Sequence, residues 1–170
     1  MKIRPIMQTG TVTLTSPNDF QQLLDRALEL AGIDGDDAEI VEVAAVSEAE
    51  IVSMNRQYLG HDRPTDVIAF DLRGNHRLDI PDAPEADDEE AVRVAGEIAV
   101  CPETARKACG EFQTTPVYEF VLYIVHGLLH IAGHDDIETR DRDAMKQREN
   151  EIMVTLTEEF DIEEIIQLNK

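Results

Sequence analysis

Three kinds of residue or segment are scarce in this chain, and each scarcity excludes something. Cysteine occurs twice in 170 residues, at Cys101 and Cys109, which is too few and too unpatterned for a disulfide framework or a cysteine zinc site. A reducing cytoplasm is the expected setting. Basic residues number 15 against 36 acidic ones, for a formal charge of −21. A chain so charged repels other polyanions as a whole, so any contact with nucleic acid has to be local. Long apolar runs are also missing: none reaches the roughly 20 residues that cross a bilayer, and Met1 to Pro17 mixes Lys2 and Arg4 with polar residues. The expectation is a soluble protein with no membrane partner.

With 42% hydrophobic residues, positions 1–170 suffice for one domain. A domain of this size buries about two-thirds of the surface its unfolded chain exposes. Its most concentrated chemistry lies in Val125-His126-Gly127-Leu128-Leu129-His130-Ile131-Ala132-Gly133-His134-Asp135-Asp136, which holds three of the five histidines. Val117 to Ala132 reads as an apolar helix, on which His126 and His130 stand one turn apart on the same face. Gly133 supplies a left-handed helix stop, after which His134, Asp135 and Asp136 can turn back to offer a third ligand. A same-face histidine pair on an aliphatic helix points to a metal site of the imidazole and carboxylate type, one zinc ion per chain. Zinc peptidases of the His-Glu-x-x-His type place their general base directly after the first histidine. Here that position is Gly127, which excludes that mechanism.

Around this segment the pattern alternates between strand and helix. Thr11–Thr15 is β-prone, Ser16-Pro17-Asn18-Asp19 signals a helix over Phe20–Ala31, and Gly32 closes it. Glu39–Val46 reads as a strand, and Ser47 with Glu50 forms a capping box that opens a helix towards Tyr58, ended by Gly60. Strands are expected over Asp66–Leu72 and Val94–Cys101, with a helix from Pro102 through Phe112. Glu138–Phe160 reads as a long amphipathic helix whose buried stripe is Ala144, Met145, Ile152, Met153 and Leu156. The tail beyond is acidic and expected to fray. Residues 73–93, with an unbroken acidic bias from Asp82 to Glu90, read as an inserted loop. The fold class is α+β, a single mixed β-sheet packed with helices, with the apolar metal-binding helix at its centre.

Asn55-Arg56-Gln57-Tyr58-Leu59-Gly60-His61-Asp62-Arg63-Pro64-Thr65-Asp66-Val67-Ile68-Ala69-Phe70 is the only dense mixture of basic, amide and hydroxyl groups in the chain. Together with the histidine segment it closely resembles the YbeY family of bacterial endoribonucleases. That family carries an Asn-x-x-Tyr-Arg-x-x-Asp-x-Pro-Thr-(Asp/Asn)-Val-Leu-Ser-Phe segment, a Gly-Asp-Ile strand similar to Gly96-Glu97-Ile98, and a His-Gly-x-Leu-His segment. The resemblance implies a metal-dependent, single-strand-specific endoribonuclease of ribosomal RNA processing and ribosome maturation, with ribosomal RNA and the small ribosomal subunit as partners. It also implies His126 and His130 as metal ligands, with Asp136 where the family has its third histidine; His134 is the other candidate. The family's arginine falls on Leu59, so that Arg56, His61 and Arg63 become the candidates for holding phosphate, and no catalytic residue is assigned. A ribosome assembly factor with a structural metal is the alternative.

Overall fold

The computed structural model describes residues 1–7, 10–36, 38–73 and 92–169. In chain order the elements are β1 (Lys2–Met7), β2 (Val12–Leu14), α1 (Pro17–Ala31), β3 (Glu39–Ala45), α2 (Glu48–Met54), a π-helical turn (Asn55–Leu59), β4 (Val67–Asp71) and β5 (Arg93–Val100). They continue with α3 (Pro102–Phe112), α4 (Pro116–Ile131), α5 (Thr139–Glu159), α6 (Ile162–Ile165) and β6 (Ile166–Leu168). The expected acidic insertion lies almost wholly outside the described residues.

Four strands form a mixed sheet in the order β1-β3-β5-β4, in which β1, β3 and β5 run parallel and β4 is antiparallel to β5. The α+β expectation is met. Alternate strand residues face opposite sides, and the two sides are used differently. Val67, Ile98 and Val100 join the main core beneath α1 and α4, whereas Ile68, Ala99 and Cys101 meet Val46 and Ile51 in a smaller cluster under α2. β3, covered on both faces, has Ile40, Val41, Val43 and Ala45 all buried, which is why its sequence alternates imperfectly.

β1 was not expected from the sequence. Lys2, Arg4 and Pro5 hide a strand that is secured by pairing with β3, a partner far along the chain. Pro5 is tolerated because β1 lies at the sheet edge. The tail also departs from expectation. Ile162, Ile165 and Ile166 are buried, and β6 pairs antiparallel with β2, so the acidic C-terminal segment clasps the N-terminal one instead of fraying. Asn169 extends the clasp by donating to the Gly10 carbonyl at 3.1 Å and the Thr13 hydroxyl at 2.8 Å.

Helix α4 occupies the centre, flanked by α1, α3 and α5 and lying across β4 and β5. Two glycines set how closely it approaches the sheet. A methyl group added to Gly127 would stand 2.7 Å from Ile98 Cγ2 of β5, and one added to Gly96 of β5 would stand 2.7 Å from Ile131 Cδ1 of α4. Where a His-Glu-x-x-His peptidase carries its glutamate, this fold packs Ile98 and Val67 so close that even a methyl group would force them to shift.

Candidate metal centre

Both ends of α4 are built from local sequence. Thr115 caps the start, its hydroxyl accepting from the Tyr118 N–H at 3.0 Å, with Pro116 in the first turn. At the other end Gly133 takes a φ of +95°. Its N–H reaches the His130 carbonyl at 3.0 Å while the His134 N–H reaches that of Leu129 at 2.9 Å, the paired bonds of a Schellman motif. Beyond these local bonds Arg73, held by Asp71, donates to the Ile131 carbonyl of the last turn. The helix end is therefore fixed from three directions.

This termination decides what the following residues can do. His134 uses its backbone carbonyl to accept from His130 Nδ1 at 3.2 Å, and its side chain is exposed. Asp135 Oδ1 accepts from the N–H groups of Asp136 and Ile137 at 2.7 and 3.2 Å, a turn that sends Asp136 back towards the helix. His126, His130 and Asp136 accordingly form a cluster with one potential ligand atom each, all within 4.8 Å of one another. Among the described residues it is the only group of this kind, and the His134 side chain is not part of it.

The hydrogen bonds of the two rings show that the donor set suits a cation. His126 Nδ1 lies 2.5 Å from Glu149 Oε1, and His130 Nδ1 contacts the His134 carbonyl. Carboxylate and carbonyl oxygens only accept, so each Nδ1 carries a proton, and a ring in its neutral form then has Nε2 as its free donor atom. Those Nε2 atoms are 3.0 Å apart. Two lone pairs facing each other at that distance, with a carboxylate beside them, are stabilised by a shared positive charge. Burial lowers the pKa of His126, but the hydrogen bond and charge of Glu149, with Asp66 and Asp136, outweigh it and raise the group above ordinary imidazole. Burial and then the neighbouring His126 lower that of His130.

A cleft of about 480 Å³ opens beside the cluster. Asp66, Glu119, Tyr123, His126, Asp136 and Glu149 are among its walls. Asp66 Oδ1 is engaged by the Thr65 hydroxyl and the Val67 N–H, both at 2.9 Å. Glu119 is buried and accepts from the Thr114 hydroxyl at 2.5 Å. Burial, then the charges of Glu119 and Asp66, hold the Tyr123 phenol well above its usual pKa, so it stays neutral.

Arg56, His61 and Arg63 are all exposed and none lines this cleft. Arg56 pairs with Asp62 at 2.5 Å, and among the described residues Arg63 is held through its backbone carbonyl, which accepts from Asn55 Nδ2 at 2.8 Å. Leu59 is 54% exposed, at the end of the π-helical turn. From this segment only Asp66 reaches the cleft. Asp66, Glu119, Arg142 and Glu149 were absent from the sequence-based site. For Glu149 a signal existed: it falls four residues after Met145 and three before Ile152, a charged residue inside the apolar stripe of α5. Ala144, expected in that stripe, is exposed.

The fold and this cluster define a class: mixed-sheet α+β proteins with a histidine pair at the end of a buried helix, able to hold a metal ion. The chain belongs to the Endoribonuclease YbeY family, whose pattern matches residues 7–157. An Endoribonuclease YbeY from Desulfitobacterium hafniense is 34% identical over 134 residues, covering 79% of this chain and 81% of that protein. The Bacillus subtilis relative is 31% identical over 148 residues, covering 86% and 89% respectively. A solution structure of a Thermotoga maritima protein superposes with a TM-score of 0.55 at 28% identity, covering 92% of this chain and 90% of that one.

Proposed function

We propose that this chain is a metal-dependent endoribonuclease specific for single-stranded RNA. It acts on ribosomal RNA during maturation in the cytoplasm, with the small ribosomal subunit as the setting of its substrate. The observation that carries this reading is the pair of Nε2 atoms 3.0 Å apart on His126 and His130, next to the Asp136 carboxylate, in a chain of the Endoribonuclease YbeY family. His126, His130 and Asp136 would hold one zinc ion; His134, whose exposed side chain stands apart from the cluster, would not. Three protein donors leave a position open, as hydrolytic zinc sites do, whereas structural sites are closed by four. Such an ion supplies Lewis acidity towards a phosphodiester when bound.

The remaining work falls to side chains of this chain. Asp66 presents a carboxylate to the cleft as a proton acceptor, and neutral Tyr123 presents a hydroxyl as a donor. Arg56, His61 and Arg63 capture the RNA backbone outside it. Leu59 favours a second reading, because an exposed leucine brings no charge to the position where the family has arginine. In that reading the chain assists ribosome assembly and cleaves RNA weakly or not at all. Single-turnover hydrolysis of an unstructured RNA, with and without chelator, separates the two. The parent should cleave slowly and lose activity with chelator. Leu59→Arg should accelerate it, by up to about 10²-fold if a preorganised donor is regained. If zinc-loaded parent and Leu59→Arg are both inert, the assembly reading replaces the nuclease one.

A further inference from the structure

Helix α5 lies across from the ligand helix α4 and contributes no ligand itself. Two of its side chains nevertheless control groups that do. Arg142 and Glu149 are seven residues apart, hence on one face of the helix. The Glu149 side chain is 14% exposed, and among the described residues its hydrogen-bond partner is His126. A carboxylate so enclosed is costly unless it is paired and hydrogen-bonded. Arg142 donates through Nε to the Asp136 carbonyl and through Nη2 to the Ile137 carbonyl, both at 3.2 Å. It bridges two successive peptides of the loop that returns Asp136 to the cluster.

We propose that α5 is the positioning half of the metal centre, with Glu149 fixing the ring and tautomer of His126, and Arg142 fixing the loop that carries Asp136. This rests on the metal reading above. Imidazole can place its proton on either nitrogen, and only the form with the proton on Nδ1 presents Nε2 to a metal ion. A carboxylate at Nδ1 selects that form, sets the ring plane and makes Nε2 a stronger donor. The guanidinium does the equivalent for Asp136: a loop held at two consecutive carbonyls keeps its carboxylate from swinging into solvent. A lysine carries its donors on one rotating atom and lacks the planar fork that spans the two carbonyls in fixed geometry.

The test uses the full chain with zinc alone as the probe, titrated against a chromophoric chelator, together with ¹⁵N spectra of the His126 ring in zinc-free protein. Glu149→Ala should lower zinc affinity about 10–100-fold. It should also convert His126 from the single Nδ1–H form to a mixture of tautomers. Glu149→Gln, whose amide oxygen still accepts from Nδ1, should recover much of the affinity and the single tautomer. Arg142→Ala should weaken zinc binding in the parent background but add nothing in an Asp136→Ala background, because it acts through that residue. Arg142 is exposed, so this arm holds even if Glu149→Ala fails to fold. Parental zinc affinity in folded Glu149→Ala, an unchanged His126 tautomer, or an Arg142→Ala effect that persists without Asp136 would each overturn the positioning role. A parent that binds no zinc would overturn the metal reading itself.

Discussion

The two segments that carry polar chemistry, Asn55–Asp66 and His126–Asp136, are built in opposite ways. In the second, half-buried side chains are held by partners from elsewhere in the chain: Glu149 on His126, Arg142 on the Asp136 loop, Arg73 on the helix end. In the first, Arg56, His61 and Arg63 are exposed, and the local order resides in the backbone, through Asn55 on the Arg63 carbonyl and the capping box of α2. One segment is preorganised down to ring orientation. The other offers charge from a fixed turn whose basic side chains are exposed, Arg56 pairing there with Asp62. That division suits a site where an ion needs ligand distances held to about 0.2 Å while a flexible polyanion needs only charge within reach.

The contrast breaks most completely at the histidines. His126→Ala combined with His130→Ala should abolish stoichiometric zinc in elemental analysis, and equal metal content would remove the site. Acidification acts on the same groups. His126 holds its proton to higher pH than free imidazole does, so a metal ion competes with that proton over a wider range. Zinc affinity should fall by about tenfold per pH unit for each proton released once pH drops below the raised value. Calorimetry in buffers of different ionisation enthalpy counts those protons, and a pH-independent affinity would contradict the geometry. Next comes the packing beneath the site. Gly127→Ala forces a methyl group against Ile98 Cγ2 and should cost about 1–3 kcal/mol. The expected readout is a melting temperature lower by several degrees.

On the other segment and the helix that leads into it the effects shrink. Ser47→Ala removes the capping box and should cost about 1 kcal/mol in denaturant unfolding, without changing zinc affinity. Arg63→Ala should leave stability within about 0.5 kcal/mol of the parent. Its signature is a lower salt slope of RNA binding, by roughly one counterion. A change in metal content in either variant would show that the segments are one unit.

How much of this was legible in the sequence follows from what holds each part. α1, the Ser47 capping box, α3 and α4 with its Gly133 stop are encoded by neighbours in sequence, and each lies close to the residues expected. β1 was not, because an edge strand with Lys2, Arg4 and Pro5 is defined by β3 beside it. The acidic tail misled because its net charge masks Ile162, Ile165 and Ile166, whose burial depends on a groove made by the rest of the fold. In the site, the histidine pair announces itself by spacing on an apolar background. Glu149 and Arg142 sit among many charged residues of a polar helix, and only the pairing of α5 with α4 sets them apart. Position within the apolar stripe was the one available clue.

The clasp between β2 and β6 has a consequence in time. Synthesis runs from the N-terminal side, so His126, His130 and Asp136 are made before Glu149, and β6 comes after all of them. At about 5–20 residues per second, the 32 residues from Asp136 to Leu168 take roughly two to six seconds. Throughout that interval β2, made long before, lacks the strand it pairs with. The groups that cluster at the end of α4 are therefore made before α5 and β6, and the β2–β6 clasp is among the last contacts of this fold to form.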